Sequence, residues 1–150
     1  MTVSFHHAPV SGVDPVLLYR MLQLRVEVFV VEQDAAYPDL DGRDVEPGAE
    51  LVWAQRGDDV VATLRVLREP GAMRIGRVVA HPSVRGTDAA ARMMAYGVAL
   101  CESFAPHLPI EIDAQSALAG WYRRFGFEVS GEQFVEDGIP HLPMTRPAAG

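Results

Sequence analysis

The stretch VVAHPSVRGTDAAARMM, residues 78–94, joins a β-rich run to a run of helical period, and the residues at the junction suit anion chemistry. Gly86, Ala89, Ala90 and Ala91 are small, and Arg85 is cationic. A helix N-terminus carries unpaired N–H groups and about half a positive charge, so small side chains there let a pyrophosphate approach the backbone. The same residues also suit a capped helix with no ligand, with Thr87 as N-cap and Asp88 complementing the dipole in the first turn. A phosphate loop favours glycine where Asp88 stands. A carboxylate there opposes a bound anion, and a non-glycine residue is strained if the position needs a positive φ.

The other reactive candidates are single residues, each with two readings. Tyr122, in WYRRFGF, supplies a hydroxyl acid or is a core aromatic beside Trp121. Glu32, at the end of an apolar helical stripe, is a base and substrate contact or a solvated helix-end carboxylate. His141, in GIPHLPM, is a base and substrate contact, because imidazole titrates near neutrality, or an edge-strand histidine bonded to backbone. Asp41 and Asp44 hold a cationic substrate or face water. Arg25 pairs with Glu32 on the same helix face or reaches a substrate carboxylate. Cys101 falls on an apolar stripe, which favours packing over nucleophilic chemistry. His6 and His7 point to opposite faces of a strand. His81, His107 and His141 lack ligand spacing, so no metal site is expected.

The totals narrow the field. Thirteen basic residues against 20 acidic ones give a net charge of −7, the opposite of a phosphate-backbone binder, so nucleic acid is not the expected partner. A negative surface suits a cationic substrate such as an amine. A single cysteine precludes an intrachain disulfide. No apolar run approaches the roughly 18 residues of a membrane span, and MTVSFHHAPV does not read as a signal peptide. The expectation is one cytoplasmic domain of 150 residues.

The elements that must position these residues are legible in outline. Residues 2–7 form a first strand. Asp14-Pro15 opens a helix whose stripe is Leu17, Met21, Leu24, Val28 and Val31. Residues 34–50 are rich in Asp, Glu, Pro and Gly and have no period, which predicts an ordered surface loop near a site. Residues 51–56, 60–69 and 73–82 form a meander of three strands. A helix from Thr87 buries Ala90, Met93, Gly97, Cys101 and Phe104 and stops at Pro106. A strand at 108–114, a short helix at 115–126 closed by glycine, and two strands around Glu136-Asp137-Gly138 complete an α+β (mixed α/β) order.

Two motifs together carry a family resemblance. After a strand ending near proline, Arg85 and Ala90 occupy the first and last places of the GNAT cofactor motif: Arg or Gln, two residues, Gly, one residue, then Gly or Ala. The motif's central glycine falls at Asp88. WYRRFGF then gives the Tyr122, Gly126 and Phe127 of the second GNAT motif. LRVEVFVVEQ, DLDGRD and EDGIPHLPM are similar to the ElaA-type subfamily, so the resemblance covers roughly residues 17–144. It implies a GNAT fold, with a central mixed sheet splayed near its middle and acetyl-CoA in the gap, and a dimer is common for that fold.

By the same likeness, backbone groups of Val78, Val79 and Ala80 meet the pantetheine arm, and those of Gly86, Thr87, Asp88, Ala89, Ala90 and Ala91, with Arg85, meet the pyrophosphate. Gln115 stands where many relatives carry a cofactor-contacting asparagine, and Tyr122 is the acid for the leaving thiolate. A strand N–H around Val79 or Ala80 serves the oxyanion. The implied activity is direct acetyl transfer to a small-molecule or exposed primary amine. The rival is a non-catalytic GNAT scaffold whose CoA binding Asp88 has weakened or abolished.

Overall fold

The computed structural model describes residues 2–150. The first strand, β1 (Ser4–Ala8), pairs antiparallel with β2 (Glu50–Arg56), β2 with β3 (Asp59–Glu69), and β3 with β4 (Ala72–Ala80). The helix α2 (Ala89–Phe104) crosses over to β5 (Ile110–Gln115), which lies parallel to β4. A short helix α3 (Ala119–Arg123) leads to β6 (Glu128–Val129), β7 (Phe134–Glu136) and β8 (Ile139–Arg146); β8 pairs with β5, β6 and β7. The sheet order is β1-β2-β3-β4-β5-β8-β6, a mixed sheet of eight strands.

Strand periodicity places the core on both faces. Along β2, Leu51 and Trp53 pack toward the first helix, α1 (Pro15–Arg25), while Val52 and Ala54 join the larger cluster with Met93, Met94 and Cys101 of α2. Covering both faces explains why the central strands read as nearly unbroken apolar runs. Helix α2 approaches closely because Gly97 has no side chain: a Cβ there would sit 3.1 Å from a Leu64 methyl.

Helix α1 starts as its sequence predicts. Asp14 Oδ1 accepts from the amides of Val16 at 3.0 Å and Leu17 at 3.3 Å, and Pro15 occupies the first turn. Its end differs from expectation. From Val26 to Glu32 the chain is π-helical, with Gln33 N–H donating to Val28 O and Ala35 N–H to Val30 O. The wider turn rotates the stripe, so Val31 is 69% exposed instead of buried.

Candidate active site

The site begins where two strands part. β4 and β5 pair only at Met73–Ile110 and Arg74–Glu111; beyond that, β4 continues to Ala80 and β5 to Gln115 without pairing. A bulge accompanies the divergence. Thr63 of β3 faces Val79, but Arg65 faces Gly76, so β4 carries one extra residue. Arg77 lies in this bulge in the left-handed region, with φ 52. Bulges sharpen local twist and bend the strand that carries them. The opening is a cleft of about 420 Å³, lined on the β4 side by Gly76, Arg77 and Val78 and across from it by Ile112, Gln115 and Tyr122.

Strand alternation decides which β4 amides face this cleft. His81 N–H donates to Val61 O at 2.8 Å, so Val79, two residues back, also turns its backbone toward β3. Val78 lines the opening, and Ala80 turns its backbone away from β3, where its carbonyl accepts from Arg85 Nε at 3.2 Å. Of the two residues expected to supply an oxyanion donor, Val79 turns its backbone toward β3 and packs its side chain with α1, which argues against it.

The loop after β4 turns through Gly86 at φ 83, a conformation that glycine adopts without strain. Thr87 Oγ1 accepts from Ala89 N–H at 3.3 Å, and Thr87 N–H donates to Val84 O at 3.2 Å, so these two amides are already engaged. The amides of Gly86, Asp88, Ala90 and Ala91 make no hydrogen bond among the described residues. Asp88, not Thr87, holds the backbone N-cap position, at φ −86, with no side-chain cap bond. The positive φ feared for Asp88 is therefore absent, and only its charge remains to oppose an anion.

Tyr122 lines the cleft from α3 and is 7% exposed. Its ring packs edge-on against Trp121 at 5.0 Å. Burial pushes its hydroxyl up to about 12, and that hydroxyl has no hydrogen-bond partner among the described residues. His141 lines the same cleft. Its Nδ1 lies 2.7 Å from Ile139 O, and a carbonyl only accepts, so Nδ1 carries the proton. In the neutral ring Nε2 then keeps its lone pair. The ring stacks on Phe134 at 5.6 Å, which fixes its plane.

Glu32 is not among the residues lining the cleft; its Oε2 accepts from Arg85 Nη1 at 2.9 Å. Gln115 does line it and exchanges amide hydrogen bonds with Gln33 at 3.2 and 3.4 Å.

The acidic loop is ordered by a set of arginines. Arg25, 2% exposed, pairs with Asp39 and Asp44, so its partners are these loop carboxylates and not Glu32. Asp44 is correspondingly buried. Asp41 lines the cleft, but both its oxygens accept from Arg65 at 2.8 Å, and Arg77 adds a contact at 3.2 Å. Hydrogen bonds from Arg65 hold the Asp41 carboxyl well below the usual range, against the opposing effect of burial. Arg77 also reaches Asp39 at 2.9 Å and lies over the Tyr37 ring, so the loop grips the left-handed residue of the bulge. Where the strands last pair, Arg74 binds Glu69, Glu111 and Asp113 at 2.8–3.2 Å.

Arg65, Arg74, Arg77, Tyr37 and Gln33 were not singled out in the sequence. An arginine inside an apolar strand run such as VVATLRVLRE has to find a carboxylate, and the surplus in residues 34–50 is the signal that points to this set. Cys101 is buried and its thiol is pushed up to about 12, which suits packing. Among the described residues there is no cluster of His, Cys, Asp or Glu that could hold a metal ion, and no helix is long and apolar enough to cross a membrane.

Comparison with known proteins agrees with this geometry. A family model described as "Acetyltransferase (GNAT) domain" matches residues 19–147. A UPF0039 protein of Mycobacterium bovis is 38% identical over 155 residues, covering 100% of this chain and 97% of the relative. Protein ElaA of Escherichia coli is 35% identical over 144 residues, covering 94% of this chain and 92% of ElaA. The crystal structure of E. coli ElaA superposes with a TM-score of 0.92 at 32% identity, and that of an acyl-CoA N-acyltransferase from Pseudomonas aeruginosa with 0.92 at 33%; each covers 97% of this chain and 99% of the other. The splayed mixed sheet, the cleft within it and these matches have one conclusion: the chain belongs to the GNAT acetyltransferases, in their ElaA-type subfamily.

Proposed function

We propose that the protein transfers an acetyl group from acetyl-CoA directly to a primary amine, on a small molecule or an exposed residue, with both bound at once in the cleft. The observation that carries this reading is the placement of unused polar groups along one opening. Val78, the unpartnered Tyr122 hydroxyl and the free Nε2 of His141 line it, and the loop that follows β4 carries four amides without partners. These residues fit the cosubstrate's parts: amides at 86, 88, 90 and 91 with Arg85 for the pyrophosphate, and Val78, Ala80 and Gln115 for the pantetheine arm.

When bound, the thioester supplies an acyl group activated for attack. The chain's residues do the rest. An alkyl amine with a pKa near 10.4 is neutral in fewer than about one molecule in a thousand at pH 7, so a base is worth roughly 4–5 kcal/mol. His141 Nε2 accepts that proton. A β4 N–H turned away from β3 donates to the carbonyl oxygen as it gains charge. Tyr122 donates to the leaving sulfur. A hydroxyl at about 12 gives its proton uphill to a solvated thiolate near 8.5, so Tyr122 works only where the sulfur is as poorly solvated as its own oxygen. The carboxylates around Arg74 and Arg77 leave those guanidiniums neutralised, which favours a cationic acceptor over an anionic one.

Thermal unfolding with acetyl-CoA tests the cosubstrate. At 100 times Kd it adds about 2.7 kcal/mol, which for a chain of this size raises Tm by roughly 5–11 °C. An unchanged Tm at millimolar acetyl-CoA rejects the reading. A screen of amines for release of free thiol then identifies the acceptor.

A further inference from the structure

Glu32 and Gln33 end the π-helical segment, and their side chains are tied to opposite sides of the opening. Glu32 meets Arg85 at 2.9 Å, and the same guanidinium donates through Nε to Ala80 O at 3.2 Å, on the β4 side. Gln33 meets the amide of Gln115, the last residue of β5. One dipeptide therefore spans the two strands where they are farthest from their last shared pair.

Both ties occupy groups suited to the cosubstrate. Arg85 is the only arginine or lysine in residues 78–91, and Glu32 neutralises it. With Asp88 exposed and carrying no side-chain hydrogen bond, the formal charge of Arg85, Glu32 and Asp88 together is −1 before any pyrophosphate arrives. Both ties are also weak. The Arg85 and Glu32 side chains are 42% and 46% exposed, a setting in which an ion pair contributes little. The amide pair, at 3.2 and 3.4 Å, is at the long end for N–H···O bonds.

Resting on the acetyl-CoA reading above, we propose that Glu32 and Gln33 set the affinity for CoA as a displaceable strap. Glu32 competes with the pyrophosphate for Arg85, and Gln33 competes with the pantetheine arm for the Gln115 amide. Glu32 on this account is an affinity-determining residue and not the base. The strap ties the two sides of the cleft together at small cost and gives way when CoA offers both partners better contacts. Its two halves respond to different parts of CoA, and that separation makes them testable.

The experiment is calorimetric titration of the full chain with CoA and with pantetheine, which lacks the pyrophosphate. Glu32→Gln, nearly isosteric, is expected to tighten CoA about two- to fivefold and to leave pantetheine unchanged. Gln33→Ala is expected to tighten both, by about two- to tenfold. In an Arg85→Gln background the Glu32→Gln gain disappears, which a merely structural role for Glu32 does not predict. CoA affinity unchanged or weakened by Glu32→Gln, in a protein with wild-type melting, overturns the strap while the cosubstrate reading stands. An equal gain for pantetheine overturns the competition for Arg85. Failure of the wild type to bind CoA at all overturns both readings together.

Discussion

At the scale of single residues, what matters is which atoms are left without a partner. His141 was read from sequence as either a base or a backbone-bonded strand histidine, and the geometry makes these compatible: the bond from Nδ1 to Ile139 O is what leaves Nε2 free. His141→Gln is expected to lower kcat/KM by about 10²–10⁴ in steady-state assays; an unchanged value assigns the base elsewhere. Tyr122→Phe removes only the hydroxyl from a packed ring. It is expected to lower kcat by a similar factor while CoA affinity holds, checked by titration beside steady-state kinetics. Asp88 is a different case. Its backbone is relaxed at φ −86, so glycine has no conformational advantage there, and Asp88→Asn and Asp88→Gly should strengthen CoA binding alike, by about two- to tenfold at low salt. The gain should shrink as salt screens the charge. A gain confined to glycine would show that conformation, not charge, was the obstacle.

At the scale of elements, the sequence was legible wherever one physical rule acts over neighbouring residues. The β-rich runs of β2 to β4 between turn residues, the change to period 3.6 at Thr87 and the Asp14-Pro15 helix start are local signals, and each corresponds to an element of the structure. What was illegible depends on distant partners. The stripe through Val31 assumed 3.6 residues per turn, and nothing in VEVFVVE announces a π turn. RIGRVVA reads as an uninterrupted strand, because the bulge at Arg77 is fixed by Asp39 and Asp41, nearly forty residues earlier. The acidic loop showed its charge but not its arginines. The most deeply buried member of that set gives an element-scale prediction. Arg25→Met leaves Asp39 and Asp44 without their buried cation, and breaking a buried pair in this way costs about 3–5 kcal/mol. Urea unfolding measures it. A cost under 1 kcal/mol would mean that Arg65 and Arg77 suffice to hold the loop.

For the whole molecule, the net charge of −7 conceals an internal balance that ties stability to pH. Hydrogen bonds from Arg65 lower the Asp41 carboxyl; at Glu69, burial opposes the shift, and hydrogen bonds from Arg43 and Arg74 outweigh it. Both groups are depressed in the folded state, so on acidification the unfolded chain takes up protons first, near the ordinary values of 3.8 and 4.5. Their contribution to stability is complete above those values and is lost as pH falls through the lower folded-state values. The free energy of unfolding is therefore expected to be flat with respect to these two groups at neutral pH and to decline steadily below about 4.5, followed by urea titration at successive pH values. Asp41→Asn removes one of the two protons from that balance, so it should lower stability at pH 7 and flatten the decline below pH 4. Because Asp41 also grips Arg77 and so the bulge, acyl transfer should fail in acid no later than the fold does. Activity that outlasts the loss of the Asp41 ion pairs would separate the opening of the strands from the loop that grips Arg77.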